Sequence, residues 1–237
     1  MLVRPFGTEP EKARAGASQQ GLTGRWEAIQ NVPVAAWSAA LLPSGKVLLF
    51  QNGAQMYLWD PKTRRFSQRF LANTNLFCAG LAMLSDGRLL AVGGHQARDP
   101  QGHFLGLKSA EVFDPWQERW TRLPDMAGGE RWYPTAITLA DGRVLVASGT
   151  QAGKLNETIE IFNPDKKSWE VIARQRLPIY PWAAVLSDGN LIFYGPQRPT
   201  RLFDLSSRTF QPAGIMSTGR GGGAGVLLDA KAGKLLA

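Results

Sequence analysis

A short turn built on glycine recurs at positions 45, 87, 142, 189 and 233, in "PSGK", "SDGR", "ADGR", "SDGN" and "KAGK", at intervals of 42, 55, 47 and 44 residues. An apolar run follows each of the first four: "VLLF", "LLAV", "VLVA" and "LIFY". A second signature then appears in "YLWDPKTRRF", "EVFDPWQERW", "EIFNPDKKSW" and "RLFDLSSRTF", each with an Asp or Asn six residues ahead of a closing aromatic. Self-similarity at such a period belongs to chains that stack copies of one small unit, because no single unit can bury its own apolar faces.

Each unit reads as four short strands. The first precedes the glycine turn and is rich in small residues, as in "CAGLAML", "YPTAIT" and "WAAVL", which suits strands crowded around an axis. The second is continuously apolar and not alternating, as a strand covered on both faces must be. The third and fourth flank a turn whose geometry is set by Pro61, Pro115 and Pro164 in three of the units. No stretch sustains a helical period. The expected fold is all-β: an incomplete kelch-like β-propeller over residues 21–237, about four to five blades, behind a flexible tail at 1–20. The Gly-His and Trp-Asp marks of WD repeats are absent in register.

Composition narrows the function classes. With 44% hydrophobic and 19% charged residues the chain is globular. No apolar run is long enough to cross a membrane, and the first twenty residues hold no signal-peptide core. The net charge of +8 is spread over small groups such as Lys62, Arg64, Arg65 and Arg69, Arg174 and Arg176, and Arg198 and Arg201. Without a run of like charges this reads as a solvated basic surface and argues against nucleic acid. A polyanion such as an acidic polysaccharide is the ligand class that charge alone would support.

The repeat also aligns side chains. Nine residues before the turn glycine stand Cys78, the only cysteine, then Tyr133, then Tyr180. Equivalent positions on neighbouring inner strands lie side by side, which brings Cys78 and Tyr133 to one mouth of the central channel. The segments "LFCAG…DGRLLAVGG" and "RWYPT…DGRVLVASG" resemble the copper radical oxidases, galactose oxidase and glyoxal oxidase, over about nine-tenths of the chain. That resemblance implies a thioether between Cys78 and Tyr133, with the Tyr133 phenolate binding copper and holding a radical. It further implies oxidation of a primary alcohol, aldehyde or carbohydrate substrate by dioxygen, with hydrogen peroxide formed, and an extracellular or cell-surface location.

The same resemblance exposes departures. The family's copper needs two histidines and a second tyrosine from later blades and a C-terminal domain of a seven-bladed protein. Here the histidines are His95 and His103, both expected as solvated residues of the loop after "AVGG", which matches no ligand-bearing segment. The family's residue stacked over the cross-link falls at Gln151, and "LPIYPWAAVLSDG" lacks the arginine that contacts sugar in galactose oxidase. This chain alone is therefore expected to bind no copper and to be inactive. Its open edges call for the missing blades, or for self-association, since the segment around Trp26 would close the ring against a blade beyond residue 237. The rival reading is a non-catalytic kelch propeller that binds protein or glycan through its loops.

Overall fold

The computed structural model describes residues 30–53, 55–70, 74–221 and 223–236. The tail expected at 1–20 and the segment around Trp26 lie outside them. The chain divides after Val32, and every element below belongs to the second unit, Pro33–Ala237.

Four four-stranded antiparallel sheets follow one another. The first comprises β1 (Ser38–Leu41), β2 (Val47–Phe50), β3 (Gln55–Asp60) and β4 (Arg65–Phe70), paired in chain order. The second holds β5 (Gly80–Met83) and β6 (Leu89–Val92), then a hairpin of β7 (His95–Arg98) and β8 (Phe104–Gly106), then β9 (Ala110–Asp114) and β10 (Arg119–Leu123). The third repeats this plan with β11 (Thr135–Thr138), β12 (Val144–Ala147), the hairpin β13 (Thr150–Gln151) and β14 (Lys154–Leu155), β15 (Thr158–Asn163) and β16 (Ser168–Arg174). The fourth is β17 (Trp182–Val185), β18 (Leu191–Tyr194), β19 (Pro199–Asp204) and β20 (Thr209–Ile215). A two-stranded sheet of β21 (Val226–Asp229) and β22 (Lys234–Leu236) closes the series. No helix occurs among the described residues. The fold is a kelch-like β-propeller architecture, as the repeat implied.

The spacing between Asp and aromatic now has a cause. The Oδ1 of Asp60, Asp114, Asn163 and Asp204 each accepts backbone N–H groups from the second and third residues beyond it. The turn ends with Arg64, Glu118, Lys167 or Arg208 in the left-handed region. This geometry sets the closing aromatic opposite the aromatic just before the Asp: Trp59 with Phe66, Phe113 with Trp120, Phe162 with Trp169, Phe203 with Phe210. The paired rings lie 4.5–6.4 Å apart, the range in which aromatic pairs attract. The turn at Gly233 departs from its four counterparts. There Asp229 accepts from Lys231 and Ala232, so it has the chemistry of the outer turns.

The core is divided between sheets. One cluster joins the first and second sheets through Leu48, Met56, Leu89 and Phe113; another joins the second and third through Leu90, Val112, Val144 and Phe162. A third joins the third and fourth through Leu145, Ile161, Leu191 and Phe203. Every residue of β6 and β12 is buried, as strands sandwiched between two neighbouring sheets must be. This face-to-face stacking brings the starts of successive inner strands together, and the site lies there.

Candidate functional site

Cys78, Tyr133 and Tyr180 each stand two residues before their inner strands β5, β11 and β17, and not within them as the repeat suggested. All three are held in the left-handed region, at φ 60°, 61° and 53°. Non-glycine residues rarely adopt it, and it persists only where the surroundings enforce it. Here the enforcement is visible: the Tyr133 N–H donates to the Cys78 carbonyl at 3.0 Å. The turn of backbone brings the two side chains near each other, close enough for each to shift the proton affinity of the other.

Electrostatics keep both groups neutral at ordinary pH. Burial pushes the Cys78 thiol up to about 11, against the opposing pull of the nearby Tyr133 hydroxyl and Trp132 indole N–H. Burial, with the nearby sulfur adding to it, raises the Tyr133 phenol to about 12. Tyr180, whose ring centroid is 5.4 Å from that of Tyr133, is also raised by burial. A cleft of about 490 Å³ opens in front, lined by Trp132, Tyr133, Tyr180 and Trp182.

The segment carrying Tyr133 is anchored by its neighbours. Arg131 is fully buried, and its guanidinium donates to Glu160 Oε1 at 2.7 and 3.1 Å, to the Ser148 carbonyl at 2.6 Å and to Thr158 at 2.6 and 3.0 Å. Glu160 Oε2 accepts the Gly128 N–H at 2.9 Å. A buried ion pair is stable only when its remaining donors and acceptors are satisfied in this way. Trp132 stacks on Phe104 with centroids 4.0 Å apart and touches the Tyr133 ring at 4.3 Å. Its buried indole N–H has no hydrogen-bond partner among the described residues and lies near the Cys78 sulfur.

Comparison with known proteins agrees with the propeller fold. A kelch motif matches residues 81–127. Galactose oxidase of Gibberella zeae is 31% identical over 169 residues, covering 65% of this chain and 23% of that protein. Aldehyde oxidase GLOX1 of Arabidopsis thaliana is 22% identical over 232 residues, covering 83% of this chain and 37% of that one. A fungal alcohol oxidase of the AA5 family, solved in complex with copper, shares the fold with a TM-score of 0.66 at 21% identity, over 83% of this chain and 45% of that one. The chain is a galactose-oxidase-like kelch propeller. It spans about a quarter of the length of the galactose oxidase it matches.

Within this galactose-oxidase-like frame the other candidates fall elsewhere. His103 is exposed and holds Asp99 through Nδ1 at 2.9 Å. His95, expected in a solvated loop, instead begins β7 and is half-buried, its ring edge-on to Phe77 and Phe104 and its Nε2 shielded. The inserted hairpin, which the sequence did not announce, makes that apolar pocket. Two rings, Phe104 and Trp132, intervene between His95 and Tyr133. Gln151 on β13 sits near Gly129, while the rings contacting Tyr133 are Trp132 and Tyr180. Among the described residues no three His, Cys, Asp or Glu side chains converge on a point. Sequence reasoning passed over Arg131 and Glu160; the signal was a carboxylate inside the apolar run "TIEIFN".

Proposed function

We propose that this chain is the propeller portion of a copper radical oxidase of the galactose oxidase and glyoxal oxidase type, with Cys78 and Tyr133 as the precursor of its thioether-linked redox tyrosine. The observation that carries the reading is the Cys78–Tyr133 pair at one repeat register, both in the left-handed conformation and joined by the bond from the Tyr133 N–H to the Cys78 carbonyl. A thioether forms when Cys78 loses its S–H hydrogen and the Tyr133 ring one C–H hydrogen. Two electrons leave to an oxidant, and a sulfur–carbon bond takes their place. Sulfur on the ring donates electron density and makes the phenol easier to oxidise. Trp132 and Tyr180 pack against this ring at the edge of the cleft.

The described residues supply two phenols and a thiol at this mouth but no imidazole beside them, so they do not compose a copper site among themselves. Copper prefers a tetragonal set of nitrogen and oxygen ligands. In this reading, alcohol or aldehyde oxidation belongs to a longer protein that brings histidines to the mouth, in the extracellular setting such oxidases occupy. Residues 1–237 alone turn over no substrate.

The test treats the purified chain with a one-electron oxidant such as hexachloroiridate and follows its intact mass. The expected result is loss of two hydrogen atoms in the wild type, with none in Cys78→Ser or Tyr133→Phe. An unchanged wild-type mass, or the same loss in Cys78→Ser, overturns the assignment. A peroxidase-coupled assay with copper and glyoxal, methylglyoxal or galactose should stay silent; peroxide release that depends on Cys78 would show the ligand set to be complete without further chain. A non-catalytic propeller predicts neither signal.

A further inference from the structure

The third and fourth sheets use one register for opposite charges. Strand pairing sets Val146 against Glu160 in the third sheet and Phe193 against Arg201 in the fourth, so Glu160 and Arg201 are equivalent. Pro178 stands two residues before Tyr180, as Arg131 stands two before Tyr133. In the third sheet the Arg131 guanidinium fills the space beside Glu160. In the fourth that guanidinium is missing, the carboxylate is replaced by Arg201, and a cleft of about 320 Å³ remains between Pro178 and Arg201.

The cleft's lining decides what it can hold. Arg201, Arg176, Gln175 and Gln197 offer donors along one wall, while Phe193 and Pro178 offer apolar surface. Arg201 is half-buried, and among the described residues it has no carboxylate partner. Arg176, at the rim, shares Glu157 at 3.3 Å. A register shift between Thr200 and Arg201 repeats the one between Ile159 and Glu160 in the third sheet, which supports the equivalence of the two positions. A half-buried guanidinium without a counter-ion is costly, and its planar fork matches a carboxylate. Gly195 and Pro199 also line the cleft, at the places from which Ser148 and Thr158 offer carbonyls to Arg131 in the third sheet. Carbonyls of this kind accept hydroxyl donors. The volume lies at the small end of ligand pockets, suited to a single sugar-sized molecule.

We propose that the cleft between the third and fourth sheets binds a hydroxylated carboxylate of sugar-acid size, with Arg201 as its anchor and Arg176 as a weaker second contact. This site is independent of the thioether and of copper.

The experiment titrates the copper-free chain with sodium galacturonate, and in parallel with galactose, by calorimetry. Galacturonate should bind saturably and galactose at least about tenfold more weakly, the loss expected when a charge-assisted pair is removed. Arg201→Gln, checked for its fold by circular dichroism, should weaken galacturonate by about tenfold or more. The double variant Pro178→Arg with Arg201→Glu rebuilds the third-sheet pair in the fourth sheet and should abolish binding. In the wild type, galacturonate should slow hydrogen exchange at residues 175–177 and 200–202, a result that depends on no variant. Equal affinity for galactose, unchanged affinity in folded Arg201→Gln or in the double variant, or no saturable binding of galacturonate overturns the proposal.

Discussion

The third and fourth sheets share strand order, turn chemistry and core, yet treat one internal position differently. Beside Tyr133 the position is closed by Arg131 and Glu160, both fully buried. Beside Tyr180 it is open, with Pro178 and Arg201 facing a cleft. The repeat frame itself does not need the ion pair, since the fourth sheet forms without one. What the pair adds in the third sheet is a fixed seat for the segment that carries Trp132 and Tyr133. A polar device inside a repeat can thus serve the placement of neighbouring side chains more than the fold.

The largest test of this contrast is Arg131→Met. It strands Glu160 in the interior, and breaking a buried pair from one side costs about 3–5 kcal/mol. We expect a matching drop in chemical-denaturation stability together with loss of the oxidant-induced mass change at Cys78 and Tyr133. Equal stability would mean that the seat is redundant. Next is Gly128→Ala: the added methyl would overlap Thr158, Glu160 and Arg131, and overpacking of this kind costs about 1–3 kcal/mol. Arg201→Met, measured by the same denaturation curves, should move stability by less than about 1 kcal/mol in either direction, because no buried partner is stranded. A loss as large as that of Arg131→Met would show that the fourth sheet hides an equivalent pair.

Alkaline titration gives a smaller effect that sharpens the same comparison. Both Cys78 and Tyr133 hold their protons more tightly in the folded protein than their ordinary values of 9.0 and 10.0, reaching about 11 and about 12. A raised folded value means that the folded state keeps the proton where the unfolded chain has lost it. Their contribution to stability is therefore complete below pH 9 and declines as pH rises toward 12. Melting temperature should fall across that window, and less steeply in Cys78→Ser. Alkylation of Cys78 by iodoacetamide in the native protein should be slow at neutral pH and accelerate up to about pH 11.

Much of this molecule could be read from its residues. The spacing from Asp or Asn to a closing aromatic is a direct imprint of a turn that places two rings across a hairpin. The continuous apolar runs mark strands buried on both faces. The shared register of Cys78 and Tyr133 followed from counting. Other features left no local trace. Nothing in "FCA" or "WYP" announces a left-handed backbone, which arises from contacts between neighbouring sheets. His95 was read as solvated because the hairpin that buries it pairs residues across an insertion with weak strand character. The partnership of Arg131 with Glu160 joins residues 29 apart in sequence and depends on the third strand's facing, which only assembly defines. The cleft at Arg201 is legible only by superposing one repeat on the next.

The left-handed backbone at Cys78, Tyr133 and Tyr180 carries a consequence for how such a protein can be changed. Residues with side chains sit in that region at a cost of about 1–2 kcal/mol each, whereas glycine and asparagine adopt it readily. Selection for thermal robustness alone would thus drift toward glycine or asparagine at these three places, relaxing the mouth while erasing its thiol and phenols. A library screened for melting temperature should enrich those replacements, so the positions that resist them in a working protein record where chemistry outweighs comfort.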